Sequence, residues 1–203
     1  MEQEGQWVQA ALEGDQHAFG RLVDAYKGPV YNICFRMLGN QADAEDAAQE
    51  TFVRIYTRLR SYDPQQRLSS WILAVASHYC IDRLRRQRIK WFSLDDLLPV
   101  QELQDEADQP ETVLLQSERT SEVQSLLQSL PPEYRLVIAL RYWQDLSYEE
   151  IAKTVGATES AVKSRLHRAR EMLAQQAMAR RLPVVRQDSA RCNGERVITN
   201  VVL

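Results

Sequence analysis

Apolar residues recur every three or four positions along most of the chain, a spacing typical of amphipathic helices rather than of strands. We predict a first helical stretch over residues 15–38. Gly28-Pro29 should interrupt it, and Gly39 should end it, because glycine readily adopts the left-handed conformation that follows many helices. The apolar stripe of this stretch consists of Phe19, Leu22, Val23, Tyr26, Val30, Ile33, Cys34 and Met37.

Two more helices are predicted before residue 93. The second runs from Asp43 to Leu59, and the segment 61–64 should end it, because the residue before a proline avoids the helical conformation. The third starts near Ser70 and runs into a basic cluster at residues 83–90. The apolar stripe of the second helix consists of Ala44, Ala48, Phe52, Ile55 and Leu59.

The periodic pattern stops after residue 92 and returns further along the chain. Residues 93–111 are acidic and rich in glutamine and contain two prolines, a composition typical of a linker. Helical spacing resumes over residues 112–175, whereas residues 176–203 show no clear periodicity. We therefore predict an all-α protein with two small helical domains, residues 12–92 and 112–175, joined by an acidic linker and followed by a mobile tail.

The net charge of −3 conceals an uneven distribution of charge along the chain. Residues 1–50 carry a net −6 and residues 93–133 a net −9, whereas residues 51–92 carry +7 and residues 134–170 carry +3. Only a local excess of arginine and lysine displaces counterions from a phosphate backbone. The two basic blocks therefore indicate two nucleic-acid-binding surfaces, one in each predicted domain.

The composition argues against a membrane protein, a secreted protein and an enzyme. No segment reaches the roughly 18 apolar residues that cross a bilayer, and the acidic N-terminus lacks the pattern of a secretory signal. Cys34, Cys80 and Cys192 are too few and too widely spaced for a disulfide framework or a zinc motif. The histidines are dispersed, and no glycine-rich phosphate loop is present. We expect a cytoplasmic, non-catalytic protein without a cofactor or a bound metal.

Residues 147–170 carry the pattern of a helix-turn-helix. Ser147 and Glu150 have the spacing of a capping box, so a helix should start there. Gly156 suits the tight turn that follows, and Thr158 can cap a second helix. The inward stripe of that second helix consists of Val162, Leu166, Ala169 and Leu173.

The opposite face of the second helix is polar and basic. Short polar and basic side chains near a helix N-terminus suit the major groove of DNA, and flanking arginines suit phosphates. A plain helical hairpin with a solvated face is the alternative, but the capping box, the turn glycine and the basic second helix all favour DNA binding. The predicted DNA-contacting residues are Thr158, Glu159, Ser160, Lys163, Ser164, Arg165, His167 and Arg168.

The residues around this motif resemble the extracytoplasmic-function (ECF) sigma factors of bacterial RNA polymerase. Residues 130–142, LPPEYRLVIALRY, and the helix-turn-helix look like the family's domain four, which reads the −35 promoter element. Residues 43–56, DAEDAAQETFVRIY, are similar to the family's polymerase-binding helix, and residues 71–86, WILAVASHYCIDRLRR, resemble its promoter-melting helix. The resemblance covers about residues 12–92 and 112–175.

The resemblance implies two sets of site residues in the first domain. The outer face of the 43–56 helix should dock on core polymerase, and residues 60–90 should open the −10 element by trapping an unstacked base. This chain has His78 where many relatives have asparagine. The polymerase-binding residues are Asp43, Asp46, Gln49, Glu50 and Arg54, and the −10 DNA-binding residues are Arg60, Tyr62, Asp63, Arg67, Ser69, His78, Arg83, Arg85, Arg86 and Arg88.

The expected function is therefore that of a promoter-specificity factor that binds core RNA polymerase and directs promoter recognition and DNA opening. Its expected partners are core RNA polymerase, promoter DNA and an anti-sigma factor, with no small-molecule substrate, and the free protein should be a monomer. The alternative is a dimeric helix-turn-helix regulator with an N-terminal sensing domain and a palindromic site. Two basic blocks, one far upstream of the helix-turn-helix, favour the first interpretation.

Overall fold

The computed structural model describes residues 2–94 and 121–179, with the side chains of residues 3–87 and 121–179. Every regular element within these ranges is helical, which confirms the predicted all-α class. Residues 93–94 of the predicted linker and residues 176–179 of the predicted tail are helical, at the ends of the fourth and the last helix, and the rest of the linker (95–111) and of the tail (180–203) lies outside the described residues. The helices are α1 (Glu2–Leu12), α2 (Gln16–Leu38), α3 (Gln41–Arg58), α4 (Leu68–Leu94), α5 (described over 121–128), α6 (Pro132–Tyr142), α7 (Tyr148–Val155) and α8 (Glu159–Ala179), with a 3-10 turn at Leu59–Ser61.

Helix α2 is continuous through Gly28-Pro29, so the predicted interruption is wrong. Proline removes one helical hydrogen bond, but Tyr26 and Val30 on either side are buried and hold the helix in the core. Gly39 ends α2 as predicted, with φ 94°, and its N–H donates to the carbonyl of Phe35 at 2.9 Å. Packing therefore outweighs a local helix breaker, whereas the terminal glycine keeps its predicted role.

The buried stripe of α3 differs from the prediction. Ala44 and Ile55 are buried as expected, but Ala47 and Thr51 are fully buried whereas Ala48 and Phe52 are only half-buried. The Thr51 hydroxyl donates to the carbonyl of Ala47 at 2.7 Å, which satisfies it inside the core. A polar residue type therefore occupies a core position because its own helix supplies the hydrogen-bond acceptor.

The N-terminal helices pack around α2, which contacts α1, α3 and α4. Large apolar side chains such as Leu22, Ile33 and Ile72 are fully buried there. The Sγ atoms of Cys34 in α2 and Cys80 in α4 lie 3.8 Å apart, and both residues have no exposed surface. Helix α1 was not predicted from the sequence, because its short apolar stripe lies before the clear periodic pattern.

The C-terminal helices α5 to α8 bury further apolar side chains, which belong to the same hydrophobic cluster as those of the N-terminal helices. Ile138, Ile151 and Leu166, one from each of α6, α7 and α8, are essentially inaccessible to solvent. This half also packs against the N-terminal half, through contacts of α6 with α2 and of α7 with α4. Among the described residues, no helix is both long enough and apolar enough to traverse a lipid bilayer.

Candidate functional site

The helix-turn-helix forms as its spacing predicts. The Ser147 hydroxyl accepts from the N–H of Glu150 at 3.2 Å, and the Glu150 carboxylate accepts from the N–H of Ser147 at 2.8 Å. Gly156 adopts φ 63° at the end of α7. The Thr158 hydroxyl accepts from the N–H of Ala161 at 3.2 Å and caps α8. These local bonds set the angle at which α8 leaves the turn.

The predicted DNA-facing side of α8 points into solvent. Val162, Leu166 and Ala169 are fully buried, so the opposite side of the helix is free of the core. Arg165 is the half-buried member of the predicted set and lies 3.8 Å from the carboxylate of Glu133. The exposed members are Thr158, Glu159, Ser160, Lys163, Ser164, His167 and Arg168.

The loop before α4 is held by its own side chains. The Tyr62 hydroxyl donates to the carbonyl of Gln66 at 2.7 Å, and the Tyr62 ring lies 5.4 Å from the Trp71 ring. The Asp63 carboxylate accepts from the N–H of Gln65 at 2.9 Å. The loop therefore keeps a defined shape, and Arg60 is exposed at its start.

Three of the predicted −10 residues, Tyr62, Arg67 and Ser69, line one cavity of about 550 Å³. Its other walls include Tyr26 of α2 and the inner side of α1. The volume lies in the ordinary range of small-ligand sites. The structure thus brings part of the predicted −10 set together around a single concave surface.

The remaining predicted −10 residues divide along α4. His78, Arg85 and Arg86 are exposed, whereas Arg83 is half-buried and forms an ion pair with Asp43 of α3. Burial opposes the charge of Arg83, but hydrogen bonding with Tyr79 and the Asp43 carboxylate raise the pKa of Arg83 above its ordinary value. Arg83 therefore links α4 to α3. The remaining member, Arg88, lies outside the described side chains.

The predicted polymerase-binding residues on α3 fall into an exposed group and a group that is already paired within the protein. Asp46 and Gln49 are exposed. Asp43 is held by Arg83, and the half-buried Glu50 accepts from Arg54 at 3.1 Å. The Arg54 guanidinium also lies over the Tyr79 ring, 4.5 Å from its centre. The outward-facing part of the set is therefore smaller than predicted.

Two exposed apolar residues on α3, Val53 and Tyr56, were missed by the analysis of the sequence. They are 57% and 52% exposed and are the exposed large apolar side chains of this helix. Val53 follows Asp46 and Gln49 at helical spacing and shares their face. That spacing was the available signal. We name Asp46, Gln49 and Val53 the α3 outer face.

The two halves of the chain interlock at the C-terminal end of α2. The Gln124 amide donates to the carbonyls of Phe35 and Arg36 at 3.0 and 3.2 Å, and the Arg135 guanidinium donates to that of Met37. Carbonyls in the last helical turn have no partner within their helix, and of these three the Phe35 carbonyl also accepts from the N–H of Gly39. The C-terminal half therefore caps a helix of the N-terminal half.

Buried cations strengthen this interlock. Arg135 is 5% exposed and also donates to the carbonyls of Gln128 and Leu130 at 2.8 and 3.0 Å. Burial lowers the pKa of Arg135 to about 10, so it stays charged at neutral pH. Arg36 lies over the Trp143 ring, 4.4 Å from its centre. At the other end of the contact, Arg67 pairs with Glu150.

Two protein-family models match the chain. Sigma-70 region 2 matches residues 22–89, and Sigma-70, region 4 matches residues 120–173. The ECF RNA polymerase sigma factor SigW of Bacillus subtilis is 34% identical over 175 residues, which cover 83% of this chain and 94% of that protein. Helix α1 lies outside both matched regions.

Solved structures show the same helical arrangement. CnrH in complex with the cytosolic domain of CnrY is similar with a TM-score of 0.63 and 25% identity, covering 87% of this chain and 98% of that chain. The sigma factor RpoE in complex with the anti-sigma factor NepR from Bartonella quintana shares the fold, with a TM-score of 0.63 and 19% identity over 79% of this chain and 96% of that chain. Because both sigma regions match and a full-length relative is more than 30% identical, the chain belongs to the ECF sigma factors, which bind core RNA polymerase and promoter DNA to initiate transcription.

Proposed function

We propose that this sigma factor divides its work among three surfaces. The α3 outer face docks on core polymerase, the loop before α4 and the exposed side of α4 engage the −10 element, and the exposed face of α8 reads the −35 element. The observation that carries the proposal is that each surface is solvent-facing on a helix whose other side is buried in the core. The three surfaces can therefore bind partners while the opposite sides of their helices stay packed in the core.

The α3 outer face combines charge with apolar surface. Asp46 supplies a carboxylate for a basic partner, and charge complementarity favours a correct register on a helical partner. Val53 adds apolar area, which contributes about 25 cal/mol per Å² when it is buried. Asp43 and Arg83 act indirectly in this proposal, because their ion pair holds α3 against α4.

The −10 surface combines a cavity with a cationic strip. The cavity beside Tyr62 takes one unstacked base, and Arg85 and Arg86 hold the single strand that follows. Base stacking on aromatic side chains and cation contact with phosphates are the usual means of binding single strands. The exposed His78 lies on the same helix and offers a further donor or acceptor.

The −35 surface is the exposed face of α8. Ser160, Lys163 and Ser164 lie near its N-terminal end, where a recognition helix contacts base edges in the major groove. His167 and Arg168 follow one turn later and suit the phosphate backbone. This division predicts base specificity from Ser160, Lys163 and Ser164 and general affinity from His167 and Arg168.

In this proposal the chain binds core polymerase and promoter DNA and catalyses no reaction. Core polymerase makes RNA, and we place the protein in the cytoplasm with core polymerase and promoter DNA. An anti-sigma factor is the proposed regulatory partner, since the fold is shared with a sigma factor solved in complex with one.

Promoter binding requires the two halves to separate. Arg67 of the −10 loop touches Glu150 of the helix-turn-helix, whereas the two promoter elements lie about 25 base pairs apart, or about 85 Å of B-DNA at about 3.4 Å per base pair. The chain between the described halves, residues 95–120, spans at most about 90 Å when extended. The described arrangement is therefore a closed state that core polymerase opens.

In vitro transcription with core polymerase over a genomic DNA library tests the proposed function. We expect transcripts whose start sites share paired −35 and −10 sequences, and none from the free factor or from core polymerase alone. Failure of the purified protein to associate with core polymerase, or transcription without any shared promoter sequence, would contradict the proposal.

A further inference from the structure

Helix α1 forms one wall of the cavity beside the −10 loop. Glu4, Val8 and Leu12 of α1 line it opposite Tyr62 and Leu68. Val8, Leu12 and Leu68 are among the lining residues, so part of the wall is apolar and suits a flat aromatic ring. Helix α1 lies before the residues that the sigma-70 region 2 model matches, which begin at residue 22.

Glu4 is the acidic residue of that wall, and a hydrogen bond from Tyr26 of α2 holds its side chain in position. The Tyr26 hydroxyl donates to Glu4 Oε1 at 2.6 Å, and Tyr26 is 7% exposed. Burial and the hydrogen bond with Glu4 raise the pKa of Tyr26 above its ordinary value, so the phenol stays protonated and keeps donating. Burial, followed by the charge of Glu4, also raises the pKa of Tyr62 across the cavity.

An ionised carboxylate accepts hydrogen bonds and donates none, and its two oxygens accept several at once. A nucleobase that enters the cavity therefore gains most when it offers an amino group. Adenine, cytosine and guanine each carry an exocyclic amino group, whereas an unpaired thymine has only one ring donor, N3–H, which lies between two carbonyl oxygens. A carbonyl oxygen of the base that faces Glu4 is repelled, because both the carbonyl oxygen and the carboxylate carry negative charge.

We propose that Glu4 is a specificity residue that admits an unstacked base with an exocyclic amino group and rejects thymine at one position of the −10 element. The inference rests on the proposed function, in which this cavity receives a base. It adds α1 to the promoter-reading surface. A single hydrogen bond to a charged acceptor corresponds to about tenfold discrimination, which is about 1.4 kcal/mol.

The test is transcription by the assembled holoenzyme from a promoter library with a randomised −10 region, followed by sequencing of the productive templates. Wild-type protein should deplete thymine about tenfold at one position. Glu4→Gln should remove that depletion at the same position only, because an amide both donates and accepts. Tyr26→Phe keeps the charge but removes the bond that orients it, and should weaken the depletion partly.

Glu13→Gln is the matched control, since Glu13 is exposed, follows the last residue of α1 and does not line the cavity. It should leave the thymine depletion unchanged. The role of Glu4 would be overturned by equal thymine depletion in wild type and Glu4→Gln, or by a wild type with no depleted position. The proposed function would still stand in either case if the holoenzyme selected −10 and −35 sequences. A wild-type holoenzyme that selects no −10 sequence would contradict both.

Discussion

Gly39 lies so close to Gln128 that a Cβ added at Gly39 would come within 2.6 Å of the Gln128 amide nitrogen. Gly39 ends α2 and Gln128 belongs to α5, so the contact joins the two halves of the chain. Gly39 also has φ 94°, a conformation that side-chain-bearing residues rarely adopt. One glycine therefore serves both the end of a helix and the closed arrangement.

Gly39→Ala should open the closed arrangement. The added methyl group strains the backbone by about 1 kcal/mol and must displace the end of the Gln128 side chain, whose Oε1 accepts from Arg135. We expect the radius of gyration of the free protein, measured by small-angle X-ray scattering, to increase.

Gly14→Ala is the matched control for this prediction. Gly14 has φ 101°, but no atom lies within 4 Å of an added Cβ. The control should lower the free energy of unfolding by about 1 kcal/mol without changing the radius of gyration. Equal radii for the two variants and the wild type would show that Gly39 does not govern closure.

The stability of the helix-turn-helix should depend on pH through Glu150. Hydrogen bonds from the backbone and hydroxyl of Ser147, together with Arg67, lower the pKa of Glu150 despite the opposing effect of burial. A carboxylate with a lower pKa in the folded state contributes stability at neutral pH, and this contribution is lost as the pH falls through that lowered pKa. Glu150→Gln should therefore cost about 1 kcal/mol at neutral pH and almost nothing in strong acid.

Urea denaturation of wild type and Glu150→Gln at neutral and acidic pH measures this difference. Glu149→Gln is the control, because Glu149 is exposed and pairs only with Lys153 on the same helix surface among its described ion pairs. Its effect should be a few tenths of a kcal/mol. A Glu150→Gln cost that is the same at both pH values would contradict the assignment.

Arg168→Ala should weaken promoter binding in a salt-dependent manner. A side chain that neutralises one phosphate contributes about one unit to the slope of log affinity against log salt concentration. We expect the slope for the holoenzyme to fall by about one, with the selected −35 sequence unchanged. Lys27→Ala, at an exposed cation of α2 paired with Asp24, should leave the slope as it is.

Asp46→Lys should weaken association with core polymerase. The residue is exposed but its charge favours that of Arg83, so the free energy of unfolding should fall slightly while affinity for core polymerase falls by about tenfold or more, about 1.4 kcal/mol. Glu45→Lys makes the same charge change at the neighbouring exposed position, which points away from Val53. Equal losses for the two variants would argue for general electrostatic attraction instead of a defined α3 outer face.

The predictions that succeeded concern signals within a few residues of one another. Ser147 with Glu150, and Gly39 at the end of α2, act through hydrogen bonds within one turn of helix. The prediction at Gly28-Pro29 failed because a local helix breaker competes with burial on both sides. The stripe of α3 was displaced because Thr51 finds its acceptor inside its own helix.

Residue spacing alone was sufficient to assign the helical class, the helix-turn-helix and the face of α8 that carries its polar side chains, because each depends on the period of one helix. It did not reveal that Asp43 meets Arg83, 40 positions away, or that Arg67 meets Glu150, 83 positions away. Those pairs, and the cavity wall formed by Glu4, depend on how separate helices pack. Helix packing brings together side chains whose separation along the chain carries no periodic signal, and so only the folded chain reveals which charges face a partner and which are already paired.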